Sequence, residues 1–285
     1  MKPLLKYRGG KSRELSEFRR FIPKEFDKYL EPFLGGGAVF FDIEPKNAII
    51  NDINTNLMEF YKQVRNNYDN LSNELARLQS IYETNQTTYG QKKDSASEKR
   101  VENPNEQLYY QLRDMYNGKT TSPYLYGTLY YFINKTAYCG MIRYNQQGEY
   151  NVPFGRYIHF NTKIITPQHN KLLNNSELYN VDYSEIFSLA KEKDFMFLDP
   201  PYDCVFHDYG NLNFQHGFDE TQHRRLANDF RNLNCKAMMI IGRTPLTEEL
   251  YGNMVKHEYQ KKYAVNIKNR FHAAATHIVI TNYTL

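Results

Sequence analysis

The chain has 285 residues, 41% of them hydrophobic, which is enough to bury a sizeable core and excludes a wholly disordered protein. Its formal net charge of +4 is too small to establish a polyanionic partner, and three scattered cysteines argue against a disulfide scaffold or a zinc site. No segment reaches the roughly 20 apolar residues of a membrane helix, and the N-terminus lacks the apolar run of a signal peptide. We therefore expect a soluble, cytoplasmic protein that binds no metal and does not enter a membrane.

Positive charge is concentrated at the N-terminus. Residues 1–30 contain nine Lys and Arg against four Asp and Glu. Such an excess is typical of a segment that follows a phosphate backbone, and equally of an ordinary solvated helix surface. Both interpretations remain open from charge alone.

The first part of the chain alternates helical and strand patterns. Residues 12–20 predict a helix with Ser12 as its N-cap. Residues 28–33 and 47–51 predict strands, the first followed by a glycine turn and an apolar helix. Residues 55–80 predict further helix.

The middle of the chain has a different composition. Residues 83–106 are polar with almost nothing to bury, which predicts an exposed insertion or mobile loop. Residues 107–140 regain apolar and aromatic side chains and predict helices. Residues 141–154 predict a β-hairpin that turns at the sequence QQG.

Strand patterns return near residue 178, and strands are predicted at 178–183, 195–198, 237–241 and 277–281. Strands that alternate with helices at both ends of the chain predict a parallel α/β sheet. We expect residues 1–61 and 177–285 to form this sheet domain. Residues 62–176 are expected to be an inserted, mainly helical module that carries the hairpin.

A glycine-rich turn, Gly35–Gly37, follows the first predicted strand. Because glycine has no Cβ, a ligand can approach the backbone of such a turn closely. Asp52 ends the next strand, where a carboxylate can accept two hydrogen bonds from ribose hydroxyls. A plain tight turn and an N-cap aspartate are the structural alternatives. The absence of G-x-G-x-x-G and of G-x-x-x-x-G-K-[ST] disfavours NAD, FAD and ATP, so the pair favours another adenosine-containing cofactor.

The most specific motif is Asp199-Pro200-Pro201-Tyr202, which follows the apolar strand FMFL directly. Ligands of α/β sheets bind at the carboxyl ends of the strands. The two prolines remove two N–H donors, so a carboxylate, backbone carbonyls and an aromatic ring remain. These groups suit a neutral planar amine, whose two N–H groups are accepted by Asp199 and the Pro200 carbonyl while Tyr202 stacks on its ring. An ordinary turn is the structural alternative.

Five motifs occur in the order found in the Dam-type (D12 class) DNA adenine-N6 methyltransferases, and the sequence resembles that family from Lys6 to about Tyr283. They are KYRGGK (6–11), EPFLGGGAVFF (31–41), NDIN (51–54), RYNQQGEYNVPFGRY (143–157) and DPPY (199–202). The resemblance implies a Rossmann-like, doubly wound, mostly parallel seven-stranded sheet with an inserted target-recognition domain. It implies that a methyl group passes by direct displacement from S-adenosylmethionine, leaving S-adenosylhomocysteine, to a flipped-out adenine of double-stranded DNA.

The resemblance also implies roles for individual residues. The catalytic residues are expected to be Asp199, Pro200, Pro201 and Tyr202. The cofactor is expected to contact Tyr7, Lys11, Phe33, Gly35, Gly36, Gly37, Ala38, Asp52, Ile53, Asp182, Tyr183 and Asp199. DNA is expected to contact Lys6, Asn134, Lys135, Tyr138, Met141, Arg143, Asn151 and Pro153.

The hairpin has a physical interpretation of its own. A two-stranded ribbon fits the major groove, where Arg143 can bond a guanine bidentately and Met141 or Pro153 can touch a thymine methyl. Tyr138 can wedge into the base stack as the target leaves it. Ordinary packing of a surface hairpin is the structural alternative for each. The resemblance of this segment suggests GATC as the target sequence.

The sequence departs from the family at several positions. Val181-Asp182-Tyr183 stands where Gly-Asp-Phe is usual, and Gly242-Arg243 stands where Ser-Asn is frequent. Cys139 replaces an asparagine, and His277 begins the last predicted strand where an acid is frequent. These differences bear on target sequence and fine positioning more than on the chemistry. Arg243 is a further candidate for a DNA contact.

Three other functions remain open. The substrate of the same fold can be another short adenine-containing DNA site, or an amine of RNA or protein. The chain can also be a catalytically silent DNA-binding protein. Duplex DNA is favoured over duplex RNA, which hides its major groove, and the glycine pattern disfavours a nicotinamide or flavin oxidoreductase. We expect a monomer, and a cognate restriction endonuclease that shares the site is the expected protein partner.

Overall fold

A computed structural model of the chain describes residues 1–95, 101–203, 218–261 and 275–284. Within these ranges the chain forms one seven-stranded sheet and ten α-helices. The strands are β1 (Tyr29–Glu31), β2 (Ala48–Asn51), β3 (Ser176–Tyr179), β4 (Phe195–Leu198), β5 (Lys236–Gly242), β6 (Val255–Lys261) and β7 (Ala275–Thr281). The helices are α1 (Leu15–Phe18), α2 (Ala38–Ile43), α3 (Thr55–Asn66), α4 (Tyr68–Ser95), α5 (Pro104–Tyr116), α6 (Tyr126–Thr136), α7 (Pro167–Asn174), α8 (Tyr183–Leu189), α9 (Glu220–Arg231) and α10 (Pro245–Tyr251).

The strands lie in the order β3-β2-β1-β4-β5-β7-β6. The first five are mutually parallel, whereas β7 runs antiparallel between β5 and β6. The predicted mostly parallel α/β sheet is therefore confirmed. Because β1 pairs with both β2 and β4, the strand order reverses beside β1, and a ligand crevice is expected outside the carboxyl ends of β1 and β4.

Both faces of the sheet are buried in apolar clusters. In β4, Phe195 and Phe197 belong to one cluster, and Met196 and Leu198 belong to the other. Successive side chains of a strand point to opposite faces, so a strand covered on both sides is apolar at every position. This burial explains why FMFL is a continuous apolar run and not an alternating pattern.

One of these clusters continues from the sheet into the helices of the middle region. Phe60 of α3, Leu71 of α4, Tyr109 of α5 and Tyr131 of α6 are fully buried within it. The predicted boundary after residue 61 falls inside α3. The division into a sheet domain and an inserted module stays a prediction.

The hairpin at 141–154 is paired but does not form two continuous strands. Isolated antiparallel bridges join Ala137 to Phe154 and Tyr144 to Tyr150. Tyrosine hydroxyls replace much of the missing ladder: Tyr150 donates to Met141 O at 2.6 Å, and Tyr109 of α5 donates to Val152 O at 2.8 Å. Side chains of the supporting helices thus fix the shape of this segment.

Two helical predictions are corrected by the structure. Residues 12–20 do not form one helix, because a 3₁₀ turn at Lys11–Arg13 precedes α1 and Glu14, not Ser12, occupies the N-cap position of α1. The first half of the predicted loop 83–106 is helical, because α4 continues to Ser95 with mostly exposed side chains. Residues 96–100 of that loop lie outside the described residues.

Strand β6 is absent from the sequence prediction. It is the edge strand of the sheet, paired only with β7 among the described strands. Its sequence, VKHEYQK, is largely exposed and has one fully buried side chain, Tyr259. An edge strand with so few buried positions carries a weak apolar signal, and its charged side chains protect the open edge.

Asn51 is expected to be essential for stability although it is polar. Its side-chain amide donates to Pro32 O at 2.9 Å and to Val181 O at 3.0 Å, and accepts from Val181 N at 2.9 Å. Asn51→Ala leaves these buried groups unpaired, so we expect a loss of about 3 kcal/mol in the free energy of unfolding, measured with urea. The matched control is Asn47→Ala, an exposed side chain just before the same strand, with an expected loss below about 0.5 kcal/mol. Equal losses in the two variants would contradict this role of Asn51.

Candidate active site

The glycine turn after β1 is shaped by contact with Tyr7. Gly35 and Gly37 have φ values of 49° and 66°, in the left-handed region that favours glycine. A Cβ added to Gly36 would lie 2.9 Å from Tyr7 Cβ, and one added to Gly35 would lie 3.0 Å from Tyr7 Cε1. The turn therefore needs glycine both for its backbone conformation and for its contact with the N-terminal segment.

Asp52 lies directly beside this turn. One of its carboxylate oxygens accepts from Gly35 N at 2.8 Å and the other accepts from Asn54 N at 2.9 Å. Burial raises the pKa of Asp52 to about 6, against the effect of these two bonds. Each carboxylate oxygen has a second lone pair, so Asp52 can still accept hydrogen bonds from a pair of hydroxyls. These two acceptor oxygens fit the ribose hydroxyls of an adenosine cofactor.

Lys11, which is buried, and Asp199, which is partly exposed, form an ion pair at the carboxyl end of β4. Lys11 Nζ lies 2.5 Å from Asp199 Oδ1, with 2% of the Lys11 side chain and 21% of the Asp199 side chain exposed. Lys11 Nζ also donates to Gly9 O at 3.0 Å. Burial raises the pKa of Asp199, and the charge of Lys11 opposes that shift. Lys11, predicted from the sequence as a cofactor contact, lies against the predicted catalytic carboxylate.

Tyr202 is enclosed by three neighbours. Lys11 Nζ lies 5.0 Å from the centre of its ring. His277 meets the ring edge-on, with a centroid separation of 5.0 Å and an interplanar angle of 86°. A Cβ on Gly242 would lie 3.6 Å from Tyr202 Cδ2, so the end of β5 passes close to the ring. Asp199, Pro200, Pro201 and Tyr202 therefore lie between the N-terminal segment, β5 and β7.

The third part of the site lies after β3. The ring of Phe33 packs against Tyr183 at 5.4 Å, and the Tyr183 hydroxyl donates to Asp229 at 2.9 Å. Asp182 caps α8 by accepting from Ser184 N at 3.0 Å and pairs with Arg225 at 2.7 Å. Although burial raises it, the bonds from Arg225 and Ser184 lower the pKa of Asp182 overall. Asp182 is thus ionised, and its carboxylate already bonds Ser184 and Arg225.

Ala38 and Ile53, which the sequence predicts to contact the cofactor, follow the glycine turn and Asp52 in the chain. Ala38 is the first residue of α2, directly after the glycine turn, and is buried. Ile53 follows Asp52 and is half-buried. Their contact with the cofactor stays a prediction.

The exposed residues of the hairpin region form a separate surface. Tyr138 and Met141 are large hydrophobic side chains with 55% and 37% exposure. Arg143 is exposed, and its Nε donates to Asn151 Oδ1 at 2.8 Å across the hairpin. Tyr138 N donates to Pro153 O at 2.9 Å. Asn151 thus orients the guanidinium of Arg143 before any ligand arrives.

Lys6, Asn134 and Lys135 form a compact group next to this surface. Asn134 is buried, and its amide accepts from Lys6 N at 2.9 Å and donates to Lys6 O at 2.8 Å. Lys6 Nζ donates to Lys135 O at 3.1 Å and lies 3.7 Å from the centre of the Tyr157 ring. Burial, together with the charge of Lys6, lowers the pKa of Lys135 to about 8. This geometry makes Asn134 a support for Lys6.

Several cations that were candidates for DNA contacts are paired within the chain. Arg243 bonds Glu248 at 2.9 Å and Glu258 at 2.5 Å, so two carboxylates already offset its charge. Among the N-terminal cations, Arg19 pairs with Asp42 at 3.4 Å and Lys28 pairs with Glu177 at 2.9 Å. For these residues the geometry favours a structural role.

Sequence reasoning gave no role to three buried polar residues that support the site. Asn51 joins the ends of β1 and β3, and Asn54 caps α3. Glu14, three residues after Lys11, is also buried. The sequence did contain a sign of the structural role of Asn51, because it is a polar residue at the end of an apolar strand. Glu14 gave no signal because its partners are distant in the sequence.

Neither a metal site nor a membrane helix is found in the part of the chain that the structure describes. No group of three or more His, Cys, Asp or Glu side chains there is arranged to hold a metal ion. No helix there is long and apolar enough to cross a bilayer.

The fold and the site together define an α/β methyltransferase. A family model for the D12 class N6 adenine-specific DNA methyltransferases matches residues 7–267, and the chain belongs to that family. It is similar to the Type II methyltransferase M.CviBI of Paramecium bursaria Chlorella virus NC1A, with 33% identity over 99% of this chain and 100% of the relative. The chain is therefore an adenine-specific DNA methyltransferase, a class that uses S-adenosylmethionine.

Two further relatives cover most of the chain. The Type II methyltransferase M.MjaIII of Methanocaldococcus jannaschii is 32% identical over 89% of this chain and 88% of the relative. The DNA adenine methylase of Salmonella typhi is 30% identical over 87% of this chain and 83% of the relative. The family resemblance drawn from the five motifs is confirmed.

The ion pair of Lys11 with Asp199 predicts a pH-dependent loss of stability when Lys11 is removed. In Lys11→Met the Asp199 carboxylate stays largely buried without its cation, so we expect a loss of about 3 kcal/mol in the free energy of unfolding. The unfolded chain ionises Asp199 above its ordinary pKa of 3.8, whereas the folded variant resists ionisation. The loss of stability is therefore full above the pKa that Asp199 has in the folded variant, and it shrinks as the pH falls through that pKa. Urea unfolding at about pH 8 and about pH 5 will measure the difference.

The control is Lys28→Met, which breaks the exposed pair with Glu177. That variant should lose less than about 1 kcal/mol at either pH. A Lys11→Met deficit as small as that of the control, or one that does not shrink in acid, would show that the pair does not stabilise the fold.

Proposed function

We propose that this methyltransferase modifies adenine N6 in double-stranded DNA, within the sequence GATC, after the target base has rotated out of the helix. The observation that carries the proposal is the ion pair of Lys11 with Asp199, set beside Tyr202 at the carboxyl end of β4. It provides a carboxyl acceptor and an aromatic surface next to the glycine turn of β1. An amine inside a stacked duplex cannot reach such a site, which is why base flipping forms part of the proposal.

The cofactor residues fall into three groups in this proposal. Asp52 accepts the ribose hydroxyls, and Ile53 borders the sugar. Gly35, Gly36, Gly37 and Ala38, with Tyr7 behind them, line the methionine side, and Phe33, Asp182 and Tyr183 line the adenine. S-adenosylmethionine supplies a methyl group on a sulfonium, which is already electrophilic. The protein therefore contributes mainly position.

The target amine is oriented by the motif after β4. Asp199, paired with Lys11, accepts one N–H of the amine and the Pro200 carbonyl accepts the other. Pro201 has no N–H that could compete for these acceptors. With both protons held, the nitrogen lone pair leaves conjugation with the ring and is directed outward. Burial raises the pKa of Asp199, so this carboxylate is suited to receive the proton that the methylated amine releases.

Tyr202 recovers part of the free energy that base flipping requires. Extrusion of a base costs a few kcal/mol, and stacking on an aromatic side chain returns on the order of 1–3 kcal/mol. Tyr202 is the aromatic residue of the motif, and Lys11 and His277 hold its ring from two sides.

The hairpin surface reads the duplex in this proposal. Arg143, oriented by Asn151, bonds a guanine in the major groove, and Met141 and Pro153 touch a thymine methyl. Tyr138, which is exposed, fills the space left by the flipped base. Support comes from the exposure of these side chains and from the hydrogen bond that fixes Arg143.

Two lysines extend this surface toward the flipped base. Lys6 reaches the target site, held by Asn134, and Lys135 lies beside it. The lowered pKa of Lys135, about 8, leaves it mostly cationic at neutral pH, so both lysines attract phosphate. Asn134, first predicted as a DNA contact, acts in this proposal through Lys6.

The domain organisation and the partners form part of the same proposal. Residues 1–61 and 177–285 bind the cofactor, and residues 62–176 recognise DNA. The enzyme acts as a monomer on one strand at a time. A restriction endonuclease that shares the target sequence is proposed as its counterpart, since similar proteins are named Type II methyltransferases.

The first test is methyl transfer from labelled S-adenosylmethionine to unmethylated duplex DNA, with nucleoside analysis and mapping of the modified sites. We expect N6-methyladenine confined to GATC. N6-methyladenine at another short site would refute the target sequence and keep the chemistry. Label on RNA or protein alone would refute the DNA substrate.

Replacing Asp199 should abolish this activity. Asp199→Ala removes the acceptor that orients the amine, so we expect the transfer rate to fall by roughly 10²- to 10³-fold. The matched control is Asp194→Asn, a buried carboxyl next to the opposite end of β4, which accepts from Lys191 N at 2.9 Å. That control should retain the transfer rate. Near-normal transfer by Asp199→Ala would eliminate Asp199 as the catalytic acceptor.

Replacing Arg143 should relax the choice of sequence. Arg143→Ala loses a bidentate guanine contact, which is worth about 1–3 kcal/mol of discrimination between bases. We expect methylation at sites that differ from the target at one guanine, measured by sequencing of methylated libraries. The control is Arg77→Ala, an equal charge change on the exposed side of α4, which should leave the site preference intact. Unchanged preference in both variants would remove Arg143 from the recognition surface.

A further inference from the structure

A buried polar network lies beside Tyr202 and is joined to it by His277. Its centre is Glu14, which is 5% exposed. The Glu14 carboxylate accepts from Tyr259 Oη at 2.8 Å and bonds His277 Nδ1 at 2.7 Å, and Lys261 Nζ lies 2.5 Å from its other oxygen. These partners come from β6 and β7, whereas Glu14 precedes the first strand.

His277 links this network to Tyr202. It is fully buried in β7, beside the equally buried Ile278 and Val279. Its ring meets Tyr202 edge-on at 5.0 Å, and the Tyr202 hydroxyl lies 3.5 Å from Nδ1. A polar side chain at a fully buried strand position carries a desolvation penalty that an apolar residue would avoid. The ladder of β7 does not need this side chain, since His277 pairs with Gly242 and Tyr259 through its backbone.

The charges around His277 define its protonation. Although burial opposes it, the bond from His277 and the charges of Lys11 and Lys261 lower the pKa of Glu14 to about 2. Burial lowers the pKa of His277, against the effect of Glu14. At neutral pH Glu14 is therefore an acceptor only, and neutral His277 must carry its proton on Nδ1 to donate to it. One tautomer, and with it one ring orientation, is selected.

We propose that Glu14 and His277 are positioning residues for Tyr202, which hold its ring in the plane that stacks on the target adenine. Lys11 and Glu14 belong to the same N-terminal turn. Lys11 fixes the carboxylate at the start of the motif, and Glu14 fixes the aromatic ring at its end through His277. This inference rests on the proposed flipping of adenine into the site.

The test is a double-mutant cycle on the rate of a single turnover of methyl transfer to duplex DNA. His277→Asn keeps a donor for Glu14 but removes the ring that contacts Tyr202. We expect the single-turnover rate to fall roughly tenfold to hundredfold, the effect of a small misplacement, while the Kd for S-adenosylhomocysteine stays within about twofold. In a Tyr202→Ala background the same change should alter the rate by less than about twofold, because the ring that it positions is gone.

Two further variants separate positioning from folding. Glu14→Gln keeps the size of the side chain and should lower the single-turnover rate in the same way, by a smaller factor. It tests the proposal even if His277→Asn folds poorly. The matched control is His169→Asn, a buried histidine of α7 whose Nε2 bonds Lys2 O at 2.9 Å. We expect this control to lower the Tm and leave the single-turnover rate unchanged.

Three outcomes would overturn the inference. Equal rate losses in the wild-type and Tyr202→Ala backgrounds would mean that His277 acts elsewhere. Unchanged rates in both His277→Asn and Glu14→Gln, with an active wild-type enzyme, would refute the positioning role alone. A wild-type enzyme that transfers no methyl group to DNA would refute the proposed function and this inference with it.

Discussion

The site depends on an ion pair between a buried N-terminal lysine and the carboxylate that ends β4. Bringing Lys11 and Asp199 out of water is costly, and their attraction offsets this only because the geometry is close and Gly9 O satisfies a further proton of the ammonium. The pair fastens the N-terminal segment over the carboxyl edge of the sheet. With the segment in place, Tyr7 covers the glycine turn, and the glycine turn in turn donates to Asp52. Asp199, the glycine turn and Asp52 are therefore all held in place by the N-terminal segment.

Recognition and chemistry are joined by a second set of contacts, made of tyrosine hydroxyls. Tyr144 of the hairpin bonds Tyr116 of α5 at 2.8 Å and Asn56 of α3 at 3.0 Å. Asn56 lies in the first turn of the helix that follows Asp52. The hairpin that carries Arg143 is thus bonded directly to the helix that begins just after Asp52. The large number of tyrosines, 25 in this chain, serves largely to make such bonds inside an apolar core.

The sequence was informative where local chemistry decides the structure. FMFL and NAIIN are strands because both faces are buried, and DPPY and the glycine turn have few backbone alternatives. The sequence was uninformative where contacts between residues far apart in the chain determine the structure. Glu14 and His277 are 263 positions apart and meet only through the sheet order, so neither could be assigned a role. Strand β6 was missed because an exposed edge lacks an apolar pattern. Helix α4 continues beyond its apolar residues into a segment where the hydroxyls of Thr84, Thr87 and Thr88 donate to the carbonyls four residues earlier.

The hairpin keeps its shape partly through bonds from outside itself. Tyr109 of α5 donates to Val152 O, and the side chain of Asn117 bonds the backbone N and O of Tyr150. These bonds do not depend on the exposed side chains of the hairpin, such as Met141. Such a loop can exchange those side chains over evolutionary time while its scaffold stays intact. If the hairpin reads DNA as proposed, one sheet can in this way acquire new target sequences by a few substitutions on the exposed side of the hairpin, without first losing the ability to fold.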